Sequence, residues 1–246
     1  MLSWALLVAI PAAFLAGLVA GMTGFGLALI STPLLLFVYE PQTVIVLTTI
    51  FSIFITATVV WDSWRDAHRR LALALLVPAF LGVLVGTEVL RAVDPVYIRL
   101  AVGVVVVLSA LILLREVRLP GAESRLGVVV AGSVSGALST STGLAGPPIV
   151  LLLTARDLPK HEFRGTSAFY FLGMSLLAIV VLTFRGVVHP HHIPLAVILI
   201  PGTLVGKVIG TAALNRVSES AFRSISLALV ICTGALGVAT AIWALL

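Results

Sequence analysis

Formal charge is scarce in this 246-residue chain: 10% of residues are charged and 60% apolar, and the mean hydropathy is +1.21. A soluble domain of this size cannot cover its surface with so few charges, so the composition excludes one and implies an all-α polytopic protein whose solvent is the lipid bilayer. Cysteine is nearly absent. Cys232 stands alone in an apolar run, which excludes an intrachain disulfide. No HExxH or GxSxG motif occurs, and every histidine falls in a predicted loop. A nucleophile at Ser139 or Ser141 therefore has no candidate base; the chain reads as a non-enzyme, with an intramembrane enzyme as the weaker alternative. Nothing resembles a nucleotide site, and no cofactor or metal is expected; His189, His191 and His192 match no familiar ligand spacing. The net charge of +5 does not imply a nucleic-acid partner, because the basic residues sit between apolar spans, as in cytoplasmic loops.

Charge is missing altogether from Met1 to Tyr39. As one helix those residues would reach roughly 58 Å, against a hydrocarbon core of about 30 Å. Seven further apolar segments come after it: about 43–61, 71–90, 98–114, 126–155, 163–184, 193–214 and 222–246. The N-terminal segment has no basic start and belongs to a repeat, so it is expected to be retained rather than cleaved as a signal peptide. If all eight segments cross once, the loop arginines and lysines divide seven against seven. If the two long segments, 1–39 and 126–155, instead fold back as hairpins, eleven collect on one face against three (Arg91, Arg99 and Arg185) on the other. That bias puts the eleven in the cytoplasm and both termini outside. Each half then crosses three times, so the halves are inverted.

Internal duplication supports the same plan. Gly17, Gly21 and Pro33 match Gly132, Gly136 and Pro148 at a spacing of 115, and Gly82, Gly86 and Thr87 match Gly206, Gly210 and Thr211 at 124. The expected organisation is a first repeat over 1–114, a cytoplasmic linker over 115–125 and a second repeat over 126–246, together one integral membrane domain. The glycine pairs serve close helix packing. Interrupted apolar segments at corresponding places in two halves point to a transporter binding site.

The most informative interruption is the Ser139-Thr140-Ser141-Thr142-Gly143 run with Pro147 and Pro148 after it. Broken backbone in hydrocarbon is tolerated only when buried in protein or lining a cavity. The expectation is a loop ending at a helix start, with free amides at Ile149 and Val150 and the positive helix end facing the cavity. In the first half Thr32 would cap a helix opening at Pro33, with Leu34 supplying the matching amide. Hydroxyls of Thr23, Ser31, Thr32, Ser139, Thr140, Ser141 and Thr142 complete a site for a small anion. Lys207, about seven residues inside its span, either neutralises that anion, snorkels or pairs. Glu88 is expected to pair with Arg91 at the interface. Trp61, Asp62, Trp64, Arg65, Arg69 and Arg70 read as an interfacial anchor without chemistry, and Ser52, Thr56, Thr58 and Ser175 as helix-packing residues.

The two-repeat plan, the run Ser139 to Leu152 and the segment Arg164-Gly165-Thr166-Ser167, with Thr48-Thr49 in the corresponding place of the first half, resemble the sulfite exporter TauE/SafE family, also called the toluene-sulfonate uptake permeases. The resemblance covers essentially the whole chain. It departs in lacking the Gly-Gly-Gly runs of many members, having Met22-Thr23-Gly24-Phe25-Gly26 and Gly143-Leu144-Ala145-Gly146 instead. It implies a plasma-membrane secondary transporter of small, sulfur-containing anions of the sulfite, sulfonate, sulfoacetate or thiosulfate type. Alternating access would move the anion, with a coupled ion such as H+ and a homo-oligomer as further expectations. An anion channel using the same amide site is the nearest alternative.

Overall fold

A computed structural model describes residues 2–114, 121 and 124–214, with side chains for 4–108, 121 and 124–213. The eighth apolar segment at 222–246, Cys232, Arg216, Arg223 and most of the 115–125 linker lie outside the described residues. Within the described residues the chain is all helical: α1 (Leu2–Thr23), α2 (Leu27–Leu35), α3 (Pro41–Ser63), α4 (Arg69–Ala92), α5 (Pro95–Leu114), α6 (Arg125–Thr142), α7 (Gly146–Ala155), α8 (Lys160–Phe184) and α9 (His192–Leu214). α1, α3, α4, α8 and α9 are long and apolar enough to cross a membrane.

Local chemistry sets the boundaries. Pro41 opens α3 at a position where a missing amide costs nothing. Ser124 caps α6, its Oγ accepting from Gly127 N–H at 3.0 Å. Gly143 closes α6 in the left-handed conformation, φ 77°.

α3 and α8 run antiparallel through the centre: Ile45 clusters with Leu182, Ser52 meets Ser175, and Arg164 reaches Ser63. Two outer pairs flank them. α1 packs parallel to α9, so tightly that a Cβ on Gly17 would fall on the Thr203 carbonyl and one on Gly206 on the Phe14 carbonyl. α6 packs parallel to α4 in the same way, Gly136 on Ala79 and Gly82 on Ser133. Small residues let backbones approach where lipid supplies no hydrophobic drive between helices.

After each short break the chain turns back. Val19 lies over Gly26, and Ser135 Oγ donates to Ala145 O at 2.7 Å, so α2 returns along α1 and α7 along α6. α3 therefore starts at the end of the bundle where α1 starts; Thr43 near His192, the first residue of α9, marks that end. At the other end the 64–68 turn meets the start of α8: His68 N–H donates to Thr166 Oγ1 at 2.9 Å, and the His68 ring pairs with Glu162 at 2.6 Å. Arg65, Arg69 and Arg70 thus share one end of the bundle, the basic end, with Lys160 and Arg164. Glu88 ties Arg91 and Arg185 together at the opposite end, at 3.2 and 3.0 Å.

Gly17 meets Thr203 as Gly136 meets Ala79, and the Thr23-Gly24 and Thr142-Gly143 breaks lie 119 positions apart, whereas the glycine stripes read from sequence match at 115. A glycine stripe of period four matches itself when slid by one helical turn, so the smaller spacing also aligns glycine with glycine.

Candidate functional site

Each break is built by a Thr-Gly pair. Gly24 (φ 77°) and Gly26 (φ 89°) are left-handed, and the Phe25 N–H donates to Thr23 Oγ1 at 3.2 Å, folding the turn back on itself. Gly143 N–H donates to Ser139 O at 3.1 Å, and the Thr142 hydroxyl donates to Leu138 O at 2.8 Å. Thr23 and Thr142 are therefore occupied as turn formers.

The helices after the breaks begin earlier than the prolines suggest. α2 starts at Leu27 behind Gly26, leaving Pro33 inside the helix and Leu34 within its ladder. α7 starts at Gly146 behind Ala145, with Pro147 and Pro148 in its first turn. That corrects the expected helix starts at Pro33 and at Ile149. Prolines in a first turn remove only amides that have no intrahelical acceptor, so both are accommodated. The amides of Ile149 and Val150 consequently belong to the α7 ladder. The two starts differ in free donors: α2 offers Leu27, Ala28 and Leu29, whereas the same three positions of α7 offer Gly146 alone.

Both breaks border one cavity of about 50 Å³, enough for a few water-sized groups and on the scale of a small oxyanion. Gly24 to Leu29 line it from one side, Ser139, Gly143, Ala145 and Gly146 from the other, and α3 and α8 form its walls. No lining residue carries a formal charge. Its hydroxyls are Thr48, Thr49, Ser52, Thr56, Ser139 and Ser175. Most are already engaged: Thr48 and Thr49 donate to Ile45 O, Thr56 to Ser52 O, and Ser175 bonds Ser52 at 2.9 Å. Ser139, 6% exposed, makes no side-chain hydrogen bond among the described residues. Thr32, 1% exposed, has an unpartnered Oγ1 beside Gly143, where an added Cβ would lie 2.9 Å from it.

The remaining expected site residues point elsewhere. Ser31 donates to Leu27 O at 2.7 Å, Ser141 to Ala137 O at 2.7 Å and Thr140 to Val83 O at 2.9 Å. Lys207 lies outside the cavity lining, its ammonium donating to Asp62 Oδ2 at 2.5 Å. Arg164, 3% exposed, joins them: Nη2 is 3.8 Å from the same carboxylate oxygen and donates to Thr211 Oγ1 at 3.1 Å, Nη1 to Ser63 Oγ at 2.5 Å and Nε to Gly21 O at 3.0 Å. Asp62, read from sequence as part of an interfacial anchor, is thus the acceptor of a largely buried ionic cluster at the basic end. The histidine rings near 190 cluster with centroids 4.1–5.7 Å apart, His189 stacked on His191 and His192 tilted against both, and no metal-holding group of three occurs among the described residues.

The chain matches the family described as Sulfite exporter TauE/SafE over residues 9–236. It belongs to the TauE/SafE family. No curated protein and no solved structure matches it. As a TauE/SafE protein it is a membrane transporter of a family of sulfite exporters, and the five long apolar helices among the described residues fit that class. The cavity wall of this TauE/SafE chain was absent from the sequence reading of the site, although a signal was present. Thr48, Ser52 and Thr56 recur every four residues and so share one face of α3.

Proposed function

We propose that this chain is a secondary carrier of a small sulfur-containing oxyanion, and that the cavity between the two breaks is its substrate site. The observation carrying this reading is the pairing of three free first-turn amides on α2 with the unengaged Ser139 hydroxyl across a cavity without formal charge. A helix start with free N–H groups favours an anion. Hydroxyls and amides solvate an oxyanion without holding it as tightly as buried arginines would, which suits a site that must release its cargo. Thr32 supplies a further donor once the second break shifts.

The chain forms two inverted repeats, one from α1 to α5 and one from α6 onward, and the antiparallel pairing of α3 with α8 supports this reading. The basic end faces the cytoplasm and both termini face outside, on the strength of the arginine and lysine bias. Rocking of one repeat against the other exposes the cavity to each side in turn. The test is flux of radiolabelled sulfite in proteoliposomes holding the purified full chain. A carrier gives saturable flux and exchange with internal sulfite, competed by sulfonates and thiosulfate. Non-saturating, conductive flux indicates the channel reading instead, and absence of both flux and binding for every sulfur oxyanion removes the proposal.

A further inference from the structure

The two ends of the bundle are built from equivalent positions but opposite chemistry. At the spacing of 119, Asp62, Ser63 and Arg164 at the basic end correspond to Val181, Leu182 and Ile45 at the opposite end. At 124, Lys207 corresponds to Val83. Ile45 and Leu182 there form an apolar cluster with Val46, Leu90 and Val187. One end is thus closed by ions and hydroxyls, the other by aliphatic packing.

The ionic cluster ties α3, α8, α9 and the end of α1 together at that end. Asp62 and Ser63 sit on α3, Arg164 on α8, Lys207 and Thr211 on α9, and the Gly21 carbonyl that receives both Arg164 and Thr211 lies at the end of α1. It is also one step from the cavity. Gly24 packs on the Arg164 carbonyl, and cavity-lining Phe25 meets Phe163 edge-on at 5.7 Å. The Asp62 carboxylate shared by the two cations is the main offset to their repulsion, with a lesser attraction of Arg164 to Asp66; the other hydrogen-bond partners of Arg164 are neutral. Asp62 itself is 35% exposed, so water reaches the pair and it can break.

We propose that Asp62, Lys207 and Arg164 form an ionic latch that closes the substrate cavity at the basic end, while the cluster around Ile45 and Leu182 closes the other end as an apolar plug. This rests on the cavity being the substrate site. Loss of the Asp62 charge leaves Lys207 and Arg164 facing one another and drives the basic end open. The latch weakens with ionic strength, because screening reaches it through the partly exposed Asp62; the plug does not.

The test uses the full chain with Cys232→Ser and a reporter, Ser52→Cys, on the cavity wall, labelled by a membrane-impermeant thiol reagent applied to one face at a time. Asp62→Asn is expected to raise labelling from the basic end at least tenfold, about 1.4 kcal/mol of gating bias, and to slow it from the opposite end; Asp62→Glu restores the parent rates. Raising salt in the parent speeds labelling from the basic end only. Should Asp62→Asn not fold, Lys207→Gln breaks the 2.5 Å link between α9 and α3 while leaving the Arg164 pairing, and is expected to raise labelling from the basic end to a smaller extent. Parent-like rates from the basic end in a monodisperse Asp62→Asn or Lys207→Gln protein overturn the latch. Failure of sulfite to protect Ser52→Cys in the parent contradicts the cavity reading instead, and is read independently of the latch.

Discussion

The two breaks open on the same kind of left-handed glycine and differ in the residue before the next helix, Gly26 or Ala145, and in the helix that follows. Thr23-Gly24 and Thr142-Gly143 fold the chain back by the same left-handed glycine, φ 77° in both. After the first, α2 opens with three free amides; after the second, prolines stand at two of those three positions, Ala28 matching Pro147 and Leu29 matching Pro148. The second break compensates with hydroxyl: Ser139 stands where the first has Ala20. The proposed site thus takes amides from one break and a side-chain donor from the other. On that proposal the anion sits asymmetrically, nearer α2, although both breaks line the cavity.

The glycines separate the two breaks most forcefully. Alanine at either Gly24 or Gly143 meets left-handed strain of about 1–2 kcal/mol. At Gly24 the added Cβ would also lie 2.6 Å from the Arg164 carbonyl, whereas at Gly143 it meets the Thr32 side chain at 2.9 Å, which can rotate. Gly24→Ala should therefore be the worse by a further 1–3 kcal/mol or so of overpacking, measured as thermal unfolding in detergent. Equal losses would mean that the two turns are equally constrained.

Next in size is the exchange of donors. Ala28→Pro gives α2 the chemistry of α7 and should weaken sulfite binding about ten- to hundredfold, the worth of one hydrogen bond to a charged group. Pro147→Ala adds a donor to α7 and should leave binding unchanged or tighter. Isothermal titration of both variants checks the pair; equal weakening by both would erase the asymmetry. The smallest effect separates neighbouring serines. Ser139→Ala should lower affinity about tenfold, and Ser141→Ala, whose hydroxyl is spent on Ala137 O, should match the parent.

Much of the architecture was legible in the sequence because bilayer physics writes it in large letters. The uncharged run from Met1 to Tyr39 is too long for one span, and the skewed arginines fit only if it turns back. The existence of both breaks was equally legible from Gly24, Gly26, Gly143, Pro147 and Pro148. Their register was not. Proline was read as a helix start, but Pro33 is held inside α2 and Pro148 in the first turn of α7, because left-handed glycines upstream had already ended the preceding helices. Which hydroxyls face the cavity was also hidden, since Ser139, Thr140, Ser141 and Thr142 point to four different surroundings within a single turn. The Asp62 partnership with Lys207 joins residues 145 positions apart, and no local pattern announces it.

An anion lying at the start of α2 is the central claim, and the position of a bound oxyanion tests it most directly. Crystals of the full chain grown with selenite, a heavier analogue of sulfite, would locate selenium by anomalous scattering. A single strong peak is expected within hydrogen-bond reach of the Leu27, Ala28 and Leu29 amides and the Ser139 hydroxyl. A peak at Lys207 and Arg164 with none at the break would contradict it.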